Sequence, residues 1–348
     1  MKNTPEAASS SVRAPTNIAF IKYWGKHPKY EELMVPTKSS ASFTVEGLYA
    51  QTSMRMEKGH GVDFSLNGKK IAPEGKEMQY VNEFFNRIFS HYPQAAKWHY
   101  SIESANNFPT AAGFASSAAG FAALAVCFSQ CMQKLGKMPK LDERELSVLA
   151  RLGSGSATRS VPEKGGLVVW HRGFDKAKTP QEASDASFAE TILPPPHFSE
   201  LSIIYCKVEE GEKKTKSRAG MRQSVGTVHD YYGWAEFEEK MLLPHSLLAA
   251  KEKDWVELFK ICKKASSNFH AICQRTYPPI HYLNDKSWEI IDAIQPMEEA
   301  AYTFDAGPNA VIFTLKGKEK ETVRLLEETL GKGKTVVTKV GAGPKVMG

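Results

Sequence analysis

Apolar positions recur along this chain in two rhythms. Strict alternation predicts strands over 42–45 and 51–56, and over 63–66, where Asn67-Gly68 supplies a turn. Residues 77–91 carry Met78, Val81, Phe84, Phe85, Ile88 and Phe89 at the spacing of a one-faced helix. A strand over 99–103 then runs into a loop dominated by alanine and glycine, Asn106 to Gly120. From there a helix of good formers continues through Phe121, Leu124, Phe128 and Met132 and stops near Gly136. A second helix, 142–152, leads into Gly153-Ser154-Gly155-Ser156.

The remainder alternates between the two rhythms. Strands are expected at 201–206, 310–315 and 335–340, with helical stretches up to Cys273, around 288–294 and over 318–330. Such alternation predicts helices layered on a sheet, an α/β (α+β) chain. Two segments lack either rhythm. Residues 173–200 are polar and close on Pro194-Pro195-Pro196, which reads as a long surface loop or a hinge between lobes. Residues 1–11 are polar, lack the apolar centre of a leader, and read as a frayed terminus.

At 348 residues the chain is long for one core, so two lobes are expected, divided into 1–195 and 196–348. An apolar fraction of 42% with 24% charged residues is that of a globular protein, and no apolar run approaches the roughly 18 residues of a membrane span. The net charge of +6 suits anionic small molecules. It comes without the arginine-rich face or aromatic-basic interleaving of a nucleic-acid binder. Cys127, Cys131, Cys206, Cys262 and Cys273 form no metal-ligand spacing, and their odd number supports no disulfide framework. A reducing compartment follows, with the cytoplasm as default.

Four segments are odd for a chain that only has to fold. Lys22-Tyr23-Trp24-Gly25-Lys26 sets two lysines about aromatics, suited to a phosphate or carboxylate or equally to a strand end with snorkelling lysines. The loop Asn106–Gly120 feeds the positive end of a helix, as a polyphosphate cradle does, yet lacks the Gly-Lys-Ser/Thr of a Walker A loop; a tightly packed core helix reads as well. Gly153 to Ser160 offers accessible amides, hydroxyls and the planar fork of Arg159, which reads as an anion cradle, with a flexible turn as the plainer alternative. Asp305 stands where Phe304 gives way to Ala306-Gly307-Pro308, either capping its own turn or serving chemistry. The basic run Lys213 to Arg218 reads first as a solvated loop.

Together these segments resemble the mevalonate diphosphate decarboxylases, ATP-dependent members of the GHMP kinase superfamily. The likeness rests on Asn17 to Lys26, Asn106 to Gly120, Gly153 to Ser160 and Tyr302 to Ala310, in family order, with echoes at Ser217–Met221, Ser267–His270, Pro278-Pro279 and Gly341–Pro344. It implies a two-lobed fold, with an N-terminal mixed-sheet lobe carrying the ATP-phosphate loop and a C-terminal ferredoxin-like lobe carrying Asp305. The implied reaction converts (R)-5-diphosphomevalonate and ATP to isopentenyl diphosphate, ADP, phosphate and carbon dioxide.

By that resemblance Asp305, Lys22 and Arg159 are catalytic. The substrate would be held by Asn17, Tyr23, Trp24, Gly25, Lys26, Ser154, Gly155, Ser156, Ala157, Thr158, Arg159, Ser217 and Arg218. ATP would be held by Pro109, Ala112, Gly113, Ala115, Ser116, Ser117 and Ala118, with Ser117 beside magnesium. A homodimer with no nucleic-acid or membrane partner is implied. The chain departs from the family pattern in His27-Pro28 after Lys26, in a longer 161–164 loop, and in lacking an arginine after Leu66-Asn67-Gly68, for which Lys76 is the substitute. A kinase that phosphorylates the 3-hydroxyl of mevalonate or a phosphomevalonate and stops is the alternative; Lys22, Arg159 and Asp305 together favour decarboxylation.

Overall fold

The computed structural model describes residues 6–108, 116–208 and 215–347. Its first sheet is mixed. It contains β1 (Ala7–Ile21), β2 (Ser40–Lys58), β3 (Gly61–Leu66), β4 (Lys69–Lys70), β5 (Trp98–Asn106), β6 (Leu167–Trp170), β7 (Ala189–Leu193) and, from the far end of the chain, β12 (Lys345–Val346). The order is β12-β1-β2-β5-β3-β4, and among the described residues only β3 and β5 pair in parallel. β2 serves two partners on one edge: Ser40–Phe43 pair with β6, and Ala50–Lys58 pair with β5. Thus the two short strands expected at 42–45 and 51–56 are one long strand. β1 follows it across register shifts between Pro15 and Asn17 and between Ala19 and Ile21.

Two helices cover this sheet. α1 (Lys76–His91) buries Met78, Val81, Phe84, Phe85 and Ile88, the stripe its spacing predicts. α2 (Ser116–Lys134) is buried nearly all round, including Cys127 and Cys131, and ends before Gly136 at φ +64°. Burial raises both thiol pKa values to about 12, so they are inert core groups. α3 (Glu143–Arg151) starts from a reciprocal capping box between Asp142 and Glu145.

Two expectations change here. Residues 7–11 do not fray but form the start of β1 against Ser53–Glu57. Their serines and alanines alternate too weakly in size to show a strand. The 173–200 segment is no open loop or hinge: it holds α4 (Pro180–Ala186) and β7, which pairs with β6. Fully buried Arg151 ties it down, donating to the carbonyls of Leu33, Ser184 and Ser187 and to Ser184 Oγ.

The second sheet is antiparallel, with β8 (Leu201–Cys206), β9 (Ala300–Phe304), β10 (Ala310–Leu315) and β11 (Thr335–Thr338) in the order β11-β8-β10-β9. Among the described residues five helices separate β8 from β9: α5 (Ser217–Thr227), α6 (Tyr231–Phe237), α7 (Leu243–Glu252), α8 (Trp255–Gln274) and α9 (Asp285–Ile294). α10 (Glu319–Leu330) joins β10 to β11. That is a ferredoxin-like βαββαβ path with an enlarged first crossover. One core joins the two sheets, where Phe43 packs 5.1 Å from Phe20 and 5.3 Å from Phe313, ring centre to ring centre.

After β11 the chain returns to the first sheet. Gly341 N donates to Thr44 O, its carbonyl accepts from Gly166 N, and Gly343 N donates to Glu163 O. This tail therefore seats the long 161–164 loop that follows the Arg159 turn. A Cβ on Gly343 would lie 1.9 Å from Pro162 O, with backbone that cannot step aside. Gly343→Val should unseat the tail and cost about 2–3 kcal/mol, from two or three lost hydrogen bonds of about 1 kcal/mol each. Urea denaturation measures this; an unchanged midpoint would mean that the tail does not brace the loop.

Candidate active site

Lys22 leaves the end of β1 with its side chain buried, and Nζ lies 2.7 Å from Asp305 Oδ1 and 2.7 Å from the Ala19 carbonyl. Asp305 follows β9 directly. The site thus begins where a strand end from each sheet meets. Burial pushes the Lys22 pKa down, and the Asp305 charge pulls it back.

Arg159 lies in the 3-10 turn Gly155–Ser160, and it too is buried. Its Nη1 donates to Ser40 Oγ at 2.6 Å, while Nε has no partner among the described residues. Burial lowers its pKa to about 10, against the pull of Asp305 and Tyr23, so it remains a cation at neutral pH. Lys22 and Arg159 each feel the other partners of this cluster: Arg159 opposes the charge on Lys22, and Asp305 supports both. Two dehydrated cations facing one carboxylate make a site with a surplus of positive charge, suited to a polyanion.

Asn17 shapes the turn from beneath, donating Nδ2 to Ser156 O (3.0 Å) and Ser160 Oγ (2.8 Å). Its amide nitrogen is spent on the protein. Ser154 Oγ and Ser156 Oγ lie 3.2 Å apart at the open side of the turn, whereas Ala157 and Thr158 are fully buried. Gly155 is required for contact: a Cβ there would sit 2.6 Å from the Tyr23 ring. Tyr23 OH is buried without a partner among the described residues, and burial raises its pKa, so it stays a neutral donor. Gly153 likewise admits Phe121 of α2, bringing the first turns of that helix beside this loop.

Other expected residues lie further out. The Trp24 indole packs on Phe269 and Tyr282 and donates to Ser224 Oγ at 2.9 Å, so its ring belongs to a core. Lys26 is half-buried and 3.8 Å from Glu31, its pKa lowered by burial. Ser217 opens α5, and Arg218 donates to Gly153 O (2.9 Å) and pairs with Glu83 (2.7 Å). Ser116, Ser117 and Ala118 form the first turn of α2, with Ser117 exposed. Pro109, Ala112, Gly113 and Ala115 fall outside the described residues. Lys76, expected from the sequence as a substitute cation, is exposed at the start of α1.

Sequence reasoning passed over several residues at the site. Ser40, which holds Arg159, looks like any strand serine. Ser266 Oγ accepts from Phe304 N at 3.2 Å, tying α8 to the strand that ends at Asp305. His270, one helical turn on, is buried with Nε2 unpartnered among the described residues; burial first, then Lys22, lowers its pKa to about 3 and keeps it neutral. Its place in the Ser267–His270 echo was the one available signal.

A mixed sheet and a ferredoxin-like sheet that share a core, with a small-residue helix starting beside the cationic turn, define a GHMP-like α/β enzyme fold. Residues 14–182 match the family model for a diphosphomevalonate decarboxylase-like N-terminal domain. Residues 203–347 match that for a mevalonate 5-diphosphate decarboxylase C-terminal domain. The chain belongs to the diphosphomevalonate decarboxylase family. It is 37% identical to the Candida albicans diphosphomevalonate decarboxylase over 93% of this chain and 89% of that one. It is 36% identical to the human enzyme of that name over 93% and 81%. The Staphylococcus aureus mevalonate diphosphate decarboxylase crystal structure superposes with a TM-score of 0.86 at 30% identity, covering 98% of both chains. A structure described as MDDEF in complex with MVAPP, AMPPCP and magnesium gives 0.85 at 33% identity, covering 98% and 99%.

Gly25, at φ +99°, turns the chain between Tyr23 and Lys26, and a Cβ there would lie 1.9 Å from Tyr231 OH. Tyr231 is fully buried and bonded to Thr37 and the Trp24 carbonyl, so it has nowhere to go. Gly25→Ala should cost about 2–4 kcal/mol, from backbone strain plus a disrupted buried hydrogen bond. Denaturant midpoints for Gly25→Ala and Tyr231→Phe decide it: the first should fall much further, and a tolerated alanine would refute the close packing of this turn.

Proposed function

We infer that this chain catalyses ATP-dependent decarboxylation of (R)-5-diphosphomevalonate, yielding isopentenyl diphosphate, ADP, phosphate and carbon dioxide. The observation that carries the reading is the convergence of Lys22, Asp305 and Arg159 beside the Gly153–Ser160 turn and the start of α2. The names of the relatives and the MVAPP, AMPPCP and magnesium in the similar complex support it.

The chemistry explains the residue types. A tertiary hydroxyl leaves badly, so its oxygen first takes the γ-phosphoryl group of ATP. Asp305 orients that hydroxyl and accepts its proton, while Lys22 holds the Asp305 carboxylate and offsets the growing negative charge. Phosphate then departs with the C–O electron pair. The bond to the substrate carboxylate breaks, its electrons form the new double bond, and carbon dioxide leaves. Arg159 grips that carboxylate through donors such as its free Nε, a two-point hold that lysine cannot reproduce. Tyr23 OH, Ser154, Ser156, Lys26, Ser217 and Arg218 bind the diphosphate.

Magnesium fits the residues present. Among the described residues no cluster of acids, histidines or cysteines makes a metal cage. The hydroxyls of Ser116 and Ser117 in the first turn of α2 suit an ion held mainly by phosphate oxygens and water. When bound, it screens phosphate charge.

The same reading divides the chain at 195/196: β1–β7 precede that point and β8–β11 follow it, and β12 returns from the second part to the first sheet. A homodimer in the cytoplasm completes the reading on the family likeness; sedimentation tests the first. No helix among the described residues is long and apolar enough to cross a membrane.

Incubated with 5-diphosphomevalonate, ATP and magnesium, the protein should release ADP, phosphate and carbon dioxide in equal amounts. ADP with a stable phosphorylated product and no carbon dioxide would instead identify a kinase acting on the 3-hydroxyl.

Asp305→Asn keeps the shape and a turn-capping oxygen but loses the charge and the proton acceptor. We expect kcat to fall about 10²- to 10⁴-fold, with substrate binding changed far less. A folded mutant keeping more than about a tenth of wild-type kcat would contradict that expected loss and leave Asp305 as a turn residue.

A further inference from the structure

Two buried charges, Lys38 and Glu238, lie behind the site. Lys38 and Glu238 are both fully buried, with Nζ and Oε2 2.7 Å apart. Glu238 opens a single π-helical turn, Glu238–Leu242, and such turns recur at functional sites. Its other oxygen accepts from Trp234 Nε1 at 2.9 Å, and the Lys38 ammonium lies 5.1 Å over the same indole. A buried ion pair gains little net stability over apolar side chains of similar volume, so stability does not explain this one.

What the pair does is visible in its remaining bonds. Lys38 Nζ donates to the backbone carbonyl of Lys22. The next residue of the π turn, Glu239, accepts from Ser39 N at 2.6 Å and from Ser39 Oγ at 2.9 Å. One residue further, Ser40 Oγ accepts from Arg159 at 2.6 Å. Three consecutive residues leading into β2, Lys38 to Ser40, thus touch Lys22, the π turn and Arg159. We propose that Glu238 and Glu239 are positioning residues: by gripping Lys38 and Ser39 they set the backbone of Lys22 and the guanidinium of Arg159 against Asp305. The proposal rests on the decarboxylase reading of that cluster, and it couples a helical turn from the second half of the chain to both reacting-centre cations.

The deciding variant is Lys38→Met with Glu238→Gln. It leaves no buried charge unpaired and keeps an acceptor for Trp234, so its melting temperature should stay near that of wild type. Its kcat for carbon dioxide release should fall about 10- to 100-fold, as small misplacements do, with KM for the diphosphate nearly unchanged. In its crystal structure Lys22 Nζ should lie beyond hydrogen-bond range of Asp305. Full kcat with the Lys22–Asp305 contact intact would overturn the proposal. If the double variant misfolds, Glu239→Ala decides, because that side chain is partly exposed and its loss removes the grip on Ser39 together with a 3.8 Å contact to Arg172, which keeps Asp175 and Glu236; unchanged kcat there refutes it equally. A wild-type protein that releases no carbon dioxide would sink the decarboxylase reading, while the Lys22–Asp305 geometry would still test the positioning.

Discussion

The core shared by the two sheets is the constraint on which the site depends. Phe20 precedes Lys22 by two residues on β1, and Phe313 on β10 pairs across the sheet with Ala301 of β9, the strand that delivers Asp305. Both rings meet Phe43, and Phe198 closes on Phe43 at 5.0 Å. Aromatic packing of this kind tolerates little sliding, because each ring fills a space shaped by the others. Fixing Phe20 against Phe313 therefore fixes how far the end of one sheet stands from the end of the other. An ion pair of 2.7 Å across that gap is a consequence of hydrophobic burial nearby.

The polar groups then work in surroundings that water does not relax. Lys22 and Arg159 are both dehydrated, which weakens their hold on a proton and strengthens their pull on any anion that enters. Neutral donors complete the set, since burial keeps Tyr23 protonated and His270 uncharged. The field at the site is fixed before a ligand arrives, which is the arrangement that electrostatic catalysis requires.

Much of this was legible in the sequence where one residue pattern dictates one structure. The stripe of α1 and the near-continuous apolar runs of β8 and β10 could hardly fold otherwise, whereas Gly153 and Gly155, read in the sequence as exposing amides, also admit the rings of Phe121 and Tyr23. β1 was hidden because alanine and serine alternate without contrast in size. β7 was hidden because short strands draw their register from a partner, here β6, rather than from their own composition. The Lys38–Glu238 pair joins residues 200 positions apart, and nothing local to either reports the other. A lone lysine in a polar run looks solvated until the structure shows what surrounds it.

The returning tail carries a consequence for how the molecule is made. β12 closes the outer edge of β1, and Val340 bridges to Val45, so the first sheet borrows its last pieces from the end of the chain. A ribosome releases those residues only after both lobes have emerged. Until then β1 presents an open strand edge, and the loop behind Arg159 lacks its brace. The turn that carries Arg159 is thereby braced only once residues 341–343 are in place, and a nascent chain that already holds Lys22 and Arg159 still lacks that support.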